Sequence, residues 1–255
     1  MNSAWFRFYE ELNDFLPGRK KKISFEYNFN GNPSVKDAIE ALGVPHVEVD
    51  MIIINGNPVD FTCKLKNEDQ VSVYPVFETL DISTVSPLRR KPLRDPKFIL
   101  DVHLGKLAKY LRLCGLDTLY YKDLSDPEII KISIKEHRII LTRDRNLLKN
   151  KTVTHGYWIR SSQPEEQLKE VLQRFNLKNN LRTFIRCLEC NGILIRVSME
   201  EVLEHLQPRT REYYTEFKKC PVCGKIYWEG SHFEKMKIYI DNLINEIDQN
   251  LLPDA

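Results

Sequence analysis

Two sets of residues in this chain have the types and spacing that chemistry uses. Cys187 and Cys190 form one C-x-x-C pair and Cys220 and Cys223 another, with 29 residues between the pairs. Thiolates two residues apart converge on one ion from a tight knuckle, and two knuckles complete a tetrahedral shell for Zn²⁺. Each knuckle is followed closely by a glycine, Gly192 and Gly224, where the backbone must bend back. A redox C-x-x-C or a disulfide framework are the alternatives. Neither explains a repeated pair at a ribbon-like gap, and the start of the chain lacks the basic-then-apolar layout of a signal peptide. A closed four-thiolate shell has no open position for substrate, so this zinc is expected to hold shape. Cys63 and Cys114 lie outside the set and read as buried free thiols.

The second set is acidic. Asp101, Asp123, Asp126 and Asp144 each follow a short apolar segment with strand character. In open α/β sheets, ligands bind outside the carboxyl ends of the strands. Carboxylates gathered there repel one another unless a divalent cation neutralises them, and oxygen-only donors suit Mg²⁺ or Mn²⁺. Cations surround them: Lys106, Lys109 and Arg112 follow Asp101, and Arg143 and Arg145 bracket Asp144. Metal-bound carboxylates beside cations that hold phosphate are the layout of a nuclease. Helix capping by Asp126 or Asp144 is the alternative role for those two acids.

The elements that must position these residues fall into three segments. Residues 1–81 contain strands at Trp5–Tyr9 and Ile23–Phe29, a helix capped by Ser34 and closed by Gly43, then strands at Met51–Ile54 and Gln70–Val76. The order ββαββ resembles the ubiquitin-like β-grasp fold, especially the small sulfur carriers. Sulfur carriage needs a terminal Gly-Gly, whereas here the last strand runs on through Phe77-Glu78-Thr79-Leu80. An interaction module that binds a protein partner is the expected role. Residues 82–96 read as a linker with a basic cluster at Arg89, Arg90, Lys91 and Arg94.

Residues 97–178 alternate strands and helices, which predicts a parallel sheet with right-handed crossovers. Strands are expected at Phe98–Leu100, Thr118–Tyr121, Arg138–Thr142 and Thr152–Arg160. Helices follow over 104–114, from Ser125 or Asp126 with Pro127 in the first turn, and over Pro164–Phe175. Residues 179–255 hold the ribbon, with a helix expected between the knuckles at Met199–Leu206. A C-terminal helix, about Phe233 to Leu252, carries Met236, Ile240, Leu243, Ile244 and Ile247 on one face. Ordinary packing is the preferred reading of that face, and the oligomeric state stays open.

Composition narrows the classes. The chain has 255 residues, 42% apolar and 29% charged, enough for real cores. No apolar run nears ~18 residues, so no membrane span is expected, and a cytoplasmic protein is. The net charge of +2 hides an asymmetry. Residues 1–82 carry 8 Lys/Arg against 13 Asp/Glu, residues 89–160 carry 17 against 8, and residues 161–255 carry 13 against 15. So basic a middle segment points to a polyanion such as RNA.

The stretch Phe98-Ile99-Leu100-Asp101-Val102-His103-Leu104-Gly105-Lys106-Leu107-Ala108 through Gly115 resembles the opening of the Mut-seven carboxy-terminal RNase family, a branch of the PIN-like nucleases. Ile140–Arg145, Arg186–Gly192, Cys220–Trp228 and Gly230-Ser231-His232 extend the resemblance over roughly residues 97–235. An N-terminal ubiquitin-like domain also resembles what is fused to this family. The resemblance implies a PIN-like three-layer α/β core between a β-grasp domain and a zinc ribbon. It implies that Asp101, Asp126 and Asp144, with Asp123 as a fourth, bind the catalytic Mg²⁺ or Mn²⁺. Lys106, Arg112, Arg143 and Arg145 are the expected RNA contacts. Two positions depart from the family pattern, His103 and Lys109-Tyr110, and neither removes a ligand. His103 reads as a solvent-facing histidine; His232 is either a packing residue or part of the cleft. The expected activity is metal-dependent cleavage of RNA phosphodiesters. The rivals are a non-catalytic RNA-binding adaptor and a protein-interaction scaffold.

Overall fold

The computed structural model describes residues 1–75, 86–88, 96–178 and 181–249. The chain packs as two compact units, Met1–Asp95 with Ile130–Trp158, and Pro96–Ile129 with Ile159–Ala255. Most of the expected linker, including its basic cluster, lies outside the described residues, as do Val76–Leu80 and the end of the C-terminal helix. Of the linker, residues 86–88 and Pro96 are described, and Leu88 packs against the core of the first unit. Ser86 is buried, and its hydroxyl donates to the Asp50 carbonyl at 2.5 Å, so the chain here is held against the first unit.

The first unit opens with a five-stranded sheet. Alternation puts Ala4, Phe6 and Phe8 of β1 (Asn2–Phe8) into the core and Trp5 and Arg7 outside. β1 pairs antiparallel with β2 (Phe25–Phe29) and parallel with β5 (Gln70–Pro75). β3 (Val49–Ile54) follows β5, and β4 (Asn57–Val59) closes the order β2-β1-β5-β3-β4. This is the β-grasp architecture with one strand more than expected. Asn55 and Gly56, at φ 51° and 82°, form the two-residue turn that folds β4 back on β3. Helix α1 (Val35–Ala41) has the Ser34 cap foreseen, doubled into a capping box by Asp37. Its Val35, Ala38 and Ile39 seal the core over Phe6, Phe8, Ile52 and Val73.

Residues 130–158 pack on that core. They carry most of α3 (Asp126–Glu136), β8 (Ile139–Thr142), α4 (Arg145–Leu148) and β9 (Gly156–Trp158), with β8 and β9 paired in parallel. His46 lies 2.7 Å from Glu40 Oε1 and 3.0 Å from the Val153 carbonyl. Buried Glu48 accepts the Trp158 backbone N–H at 2.7 Å, and the Trp158 ring tilts onto Phe15 at 5.0 Å.

In the second unit β6 (Phe98–Leu100) pairs in parallel with β7 (Thr118–Leu119). Helix α2 (Gly105–Leu113) packs Leu107, Ala108 and Leu111 against α5 (Pro164–Arg174), whose inner residues are Leu168, Val171 and Leu172. Cys114 is fully buried at the end of α2, and burial pushes its thiol up to about 12. Cys63, in the first unit, is only half-buried. The ribbon adds an antiparallel sheet, β10 (Ile195–Val197), β11 (Phe217–Lys219) and β12 (Ile226–Trp228). The helix expected at Met199–Leu206 is reduced to a 3-10 turn over Leu203–His205, and α6 (Pro208–Tyr213) forms after it. Pro208 explains the shift. It holds Gln207 extended, ψ 151°, which stops any helix arriving from before it, and itself sits at the start of α6. The last helix, α7 (Ser231–Gln249), buries Phe233, Ile240 and Leu243 and packs on α5, as ordinary packing of its apolar face requires.

Gly115 ends α2 at φ +84°, and a Cβ there would lie 2.2 Å from the Arg182 carbonyl oxygen. A side chain at Gly115 meets both a left-handed backbone and a backbone atom that cannot swing aside. Gly115→Ala is expected to lower unfolding free energy by more than about 2 kcal/mol, read as a fall in the urea midpoint.

Candidate functional site

The knuckles meet as their spacing requires. Cys187, Cys190, Cys220 and Cys223 bring their Sγ atoms within 4.8 Å of one another. The closest approaches cross between knuckles, Cys187 to Cys223 at 3.5 Å and Cys190 to Cys220 at 3.4 Å. A tetrahedral zinc–thiolate shell has sulfur–sulfur edges of about 3.8 Å, from Zn–S bonds of about 2.3 Å. The donor set and its dimensions therefore fit a metal ion such as zinc. Among the described residues this is the one set of His, Cys, Asp or Glu side chains gathered closely enough to hold an ion.

The surrounding groups are arranged for the sulfurs. The Tyr227 hydroxyl accepts the Leu188 N–H at 3.0 Å and lies 3.1 Å from Cys187 Sγ, where it can donate. Phe184, Leu194, Tyr227 and Phe233 pack around Cys187 and Cys220. Glu189, on the knuckle itself, accepts from Lys225 at 3.0 Å and Lys109 at 3.2 Å; the Lys225 bond chiefly holds its carboxyl below the usual range. Both bridges are exposed and contribute little to stability. Gly192 lets the knuckles close, because a Cβ there would lie 2.9 Å from Cys220 Sγ and 3.0 Å from Val222.

The acids divide between the units. In the second unit, Asp101 directly follows β6, is buried, and caps the 3-10 turn Val102–Leu104 by accepting the His103 N–H at 2.8 Å. Asp123 and Asp126 follow β7, and both are exposed. Asp126 is the first residue of α3, and the cap ahead of it is Ser125, whose N–H and hydroxyl both bind Glu128. Capping therefore does not occupy the Asp126 carboxylate. In the first unit, Asp144 lies two residues beyond β8, exposed, and caps α4 through Oδ1 and the Asn146 N–H at 2.8 Å. The capping alternative thus holds for Asp144 and fails for Asp126.

Two of the four expected RNA contacts have other work. Arg112 is only 2% exposed; its Nε donates to the Thr118 carbonyl at 2.9 Å, and Nη1 to those of Leu188 and Glu189 at 2.9 and 2.8 Å. It braces the first knuckle, and a phosphate cannot reach it. Burial lowers its pKa while the nearby cysteines and Glu189 oppose that. The Arg145 guanidinium lies over the Trp158 ring, 3.9 Å from its centroid, and 5.2 Å from that of Phe15. Lys106 and Arg143 are exposed, as is His103. The His232 side chain lies outside the described residues.

The family model described as Mut7-C RNAse domain matches residues 96–240, and one described as Mut7-C ubiquitin matches residues 1–81. The chain belongs to the Mut7-C RNAse domain family. The β-grasp and cysteine-ribbon ends of the fold agree with that membership. Among solved structures, SAMP1 from Haloferax volcanii is similar at 15% identity, covering 31% of this chain and 100% of its own, with a TM-score of 0.25. No curated protein matches the chain. No helix among the described residues is long and apolar enough to cross a membrane.

The tight approach at Gly192 makes a direct prediction. Gly192→Ala should push Cys220 out of the shell and weaken metal binding at least tenfold, measured by competition with a chromophoric chelator.

Proposed function

We propose that this Mut7-C family member is a metal-dependent ribonuclease of the PIN-like type. In this reading Asp101, Asp126 and Asp144, with Asp123 as a fourth, are the acids that would hold the catalytic cation, with water as the nucleophile. The observation that carries this reading is positional. Asp101 and Asp126 come after the parallel strands β6 and β7 of the second unit, and Asp144 after the parallel strand β8 of the first, all within the span matched by the RNAse family model. Asp126 adds to it, since Ser125 stands at the cap position of its helix, where its N–H and hydroxyl both donate to Glu128.

A bound Mg²⁺ or Mn²⁺ supplies Lewis acidity and an activated water for in-line attack on phosphorus. The chain's own residues do the rest. Asp101 is held by the His103 N–H, so one of its oxygens is fixed in direction before any ligand arrives. Lys106 and Arg143, both exposed, are the cations assigned to the RNA backbone, which they would hold without reading bases. Zinc at the four cysteines shapes the ribbon and takes no part in the reaction. The modular reading assigns residues 1–81 to a β-grasp domain that recruits a protein partner, 97–178 to the nuclease core and 179–255 to ribbon and helix. Cysteines spaced as metal ligands rather than as a disulfide framework suit a cytoplasmic location.

The capping bonds make the test clean. Asn caps helices as well as Asp does, so Asp101→Asn and Asp144→Asn remove charge and keep the local hydrogen bonds. End-labelled single-stranded and structured RNAs should be cut with Mn²⁺ or Mg²⁺ and spared with EDTA. Each variant should lose at least about a hundredfold in rate, the scale of several kcal/mol of charge stabilisation, while RNA affinity stays steeply salt-dependent. Binding without metal-dependent cleavage in the wild type would assign the chain to the adaptor class. Neither binding nor cleavage would leave a protein scaffold.

A further inference from the structure

Strand β7 is an edge strand, paired with β6 on one side through Phe98↔Thr118 and Ile99↔Leu119. In a parallel pair the N–H and C=O of one residue point to the same side, and those of Thr118 point away from β6. An edge of this kind leaves backbone groups to be satisfied by something other than a strand. Thr118 is fully buried, and both of its outward groups are met by side chains. Its N–H donates to Asn191 Oδ1 at 3.0 Å, and its carbonyl accepts from Arg112 Nε at 2.9 Å.

Both partners are tied to the Cys187–Cys190 knuckle. Asn191 follows Cys190 directly, in the left-handed region at φ +70°, and its own N–H donates to the Cys187 carbonyl at 3.0 Å. Its amide nitrogen donates to Asp117 Oδ1 at 2.9 Å, so the side chain is held at both ends. Arg112 donates to the carbonyls of Leu188 and Glu189, the two residues between the cysteines. Arg186 completes the frame, reaching the carbonyls of Gly115 and Asn191 at 3.1 Å each and Asp117 Oδ2 at 3.5 Å. The carbonyls of Leu188, Glu189 and Asn191 and the Asn191 amide lie in or directly after the knuckle, so its curl orients them, and a metal ion bound by the cysteines would fix that curl.

We propose that metal binding at the four cysteines locks the β7 edge, with Asn191 and Arg112 as the positioning residues that carry the lock. A filled site holds the knuckle curled; the curled knuckle presents Asn191 Oδ1 and holds the Arg112 guanidinium; these two hold Thr118. The chain beyond Thr118 runs through the turn bearing Asp123 to Asp126. Zinc in the ribbon thereby sets the order of the segment that carries two of the four acids, without touching either. The proposal rests on the cysteines taking zinc and does not need the nuclease reading.

The experiment is amide hydrogen exchange by NMR on the full chain, zinc-loaded and chelator-stripped, after zinc stoichiometry has been measured. Thr118 reports the lock, and Leu168 and Leu172 of α5 report the body of the unit. Stripping should speed Thr118 exchange at least tenfold more than it speeds α5. Asn191→Gly keeps the left-handed backbone and should keep one zinc, yet release Thr118 to the same degree with zinc bound. Arg112→Lys should weaken zinc binding about 10- to 100-fold, the usual effect of losing a group behind the ligands. Equal Thr118 protection in loaded and stripped protein overturns the proposal, as does full protection in zinc-loaded Asn191→Gly. If stripping unfolds the whole unit, the zinc-loaded Asn191→Gly result decides alone. A wild type that binds no zinc overturns both the metal assignment of the cysteines and this proposal, whatever the RNA assay gives.

Discussion

Four sulfurs within 4.8 Å are a demand for positive charge, and the second unit is built around meeting it. As thiolates they repel; as thiols they waste four ligands and leave a loose ribbon. The ribbon sheet has three strands of three residues each, far too little apolar surface to hold itself together by burial. Its clusters are correspondingly small: Phe184, Leu194, Tyr227 and Phe233 around two of the cysteines, and Val202, Leu206 and Phe217 beyond them. A metal ion at the four cysteines would replace the missing core, as small metal-stapled modules commonly require. The hydrogen bonds of Arg112, Asn191 and Arg186 meet at the Cys187–Cys190 knuckle, two of them fully buried at Thr118.

The first unit rests on a different balance. Its β-grasp core buries Phe6, Phe8, Phe15, Phe25 and Phe29 and needs no ion. Residues 130–158 join that core through polar contacts made inside it. Buried Glu48 takes the Trp158 N–H, and His46 bridges Glu40 and the Val153 carbonyl. Polar contacts that are satisfied in a low-dielectric interior fix geometry more sharply than apolar packing does. A β-grasp segment so joined is an integral part of its unit, and that constrains how it can serve a partner. The outward face of its sheet, where Arg7, Tyr9 and Tyr74 stack, is separate from the residues that make these contacts.

The carboxylates illustrate how one residue carries two explanations. Asp144 caps α4 and Asp101 caps a 3-10 turn, so each has a local reason to be acidic. Capping uses one carboxylate oxygen and is served as well by Asn or Ser, so it does not account for aspartate at both positions. Asp126 has no such local reason, because Ser125 and Glu128 already serve its helix.

The residues by themselves determined most of the elements and the four-cysteine cluster. Period-two alternation in β1, the Ser34 cap and the twin C-x-x-C pairs act over a few residues, and such local rules survive any tertiary arrangement. The fourth β-grasp strand and the shift from an expected helix at Met199–Leu206 to α6 were also local in origin, set by Asn55-Gly56 and Pro208. Tertiary structure alone decided what the cations do. In the sequence Arg112 and Arg145 are two more charges in a basic stretch. In the fold Arg112 meets carbonyls more than seventy positions away, and Arg145 meets the ring of Trp158. A guanidinium takes whichever acceptors or ring faces surround it, and which ones surround it is fixed by how distant segments pack.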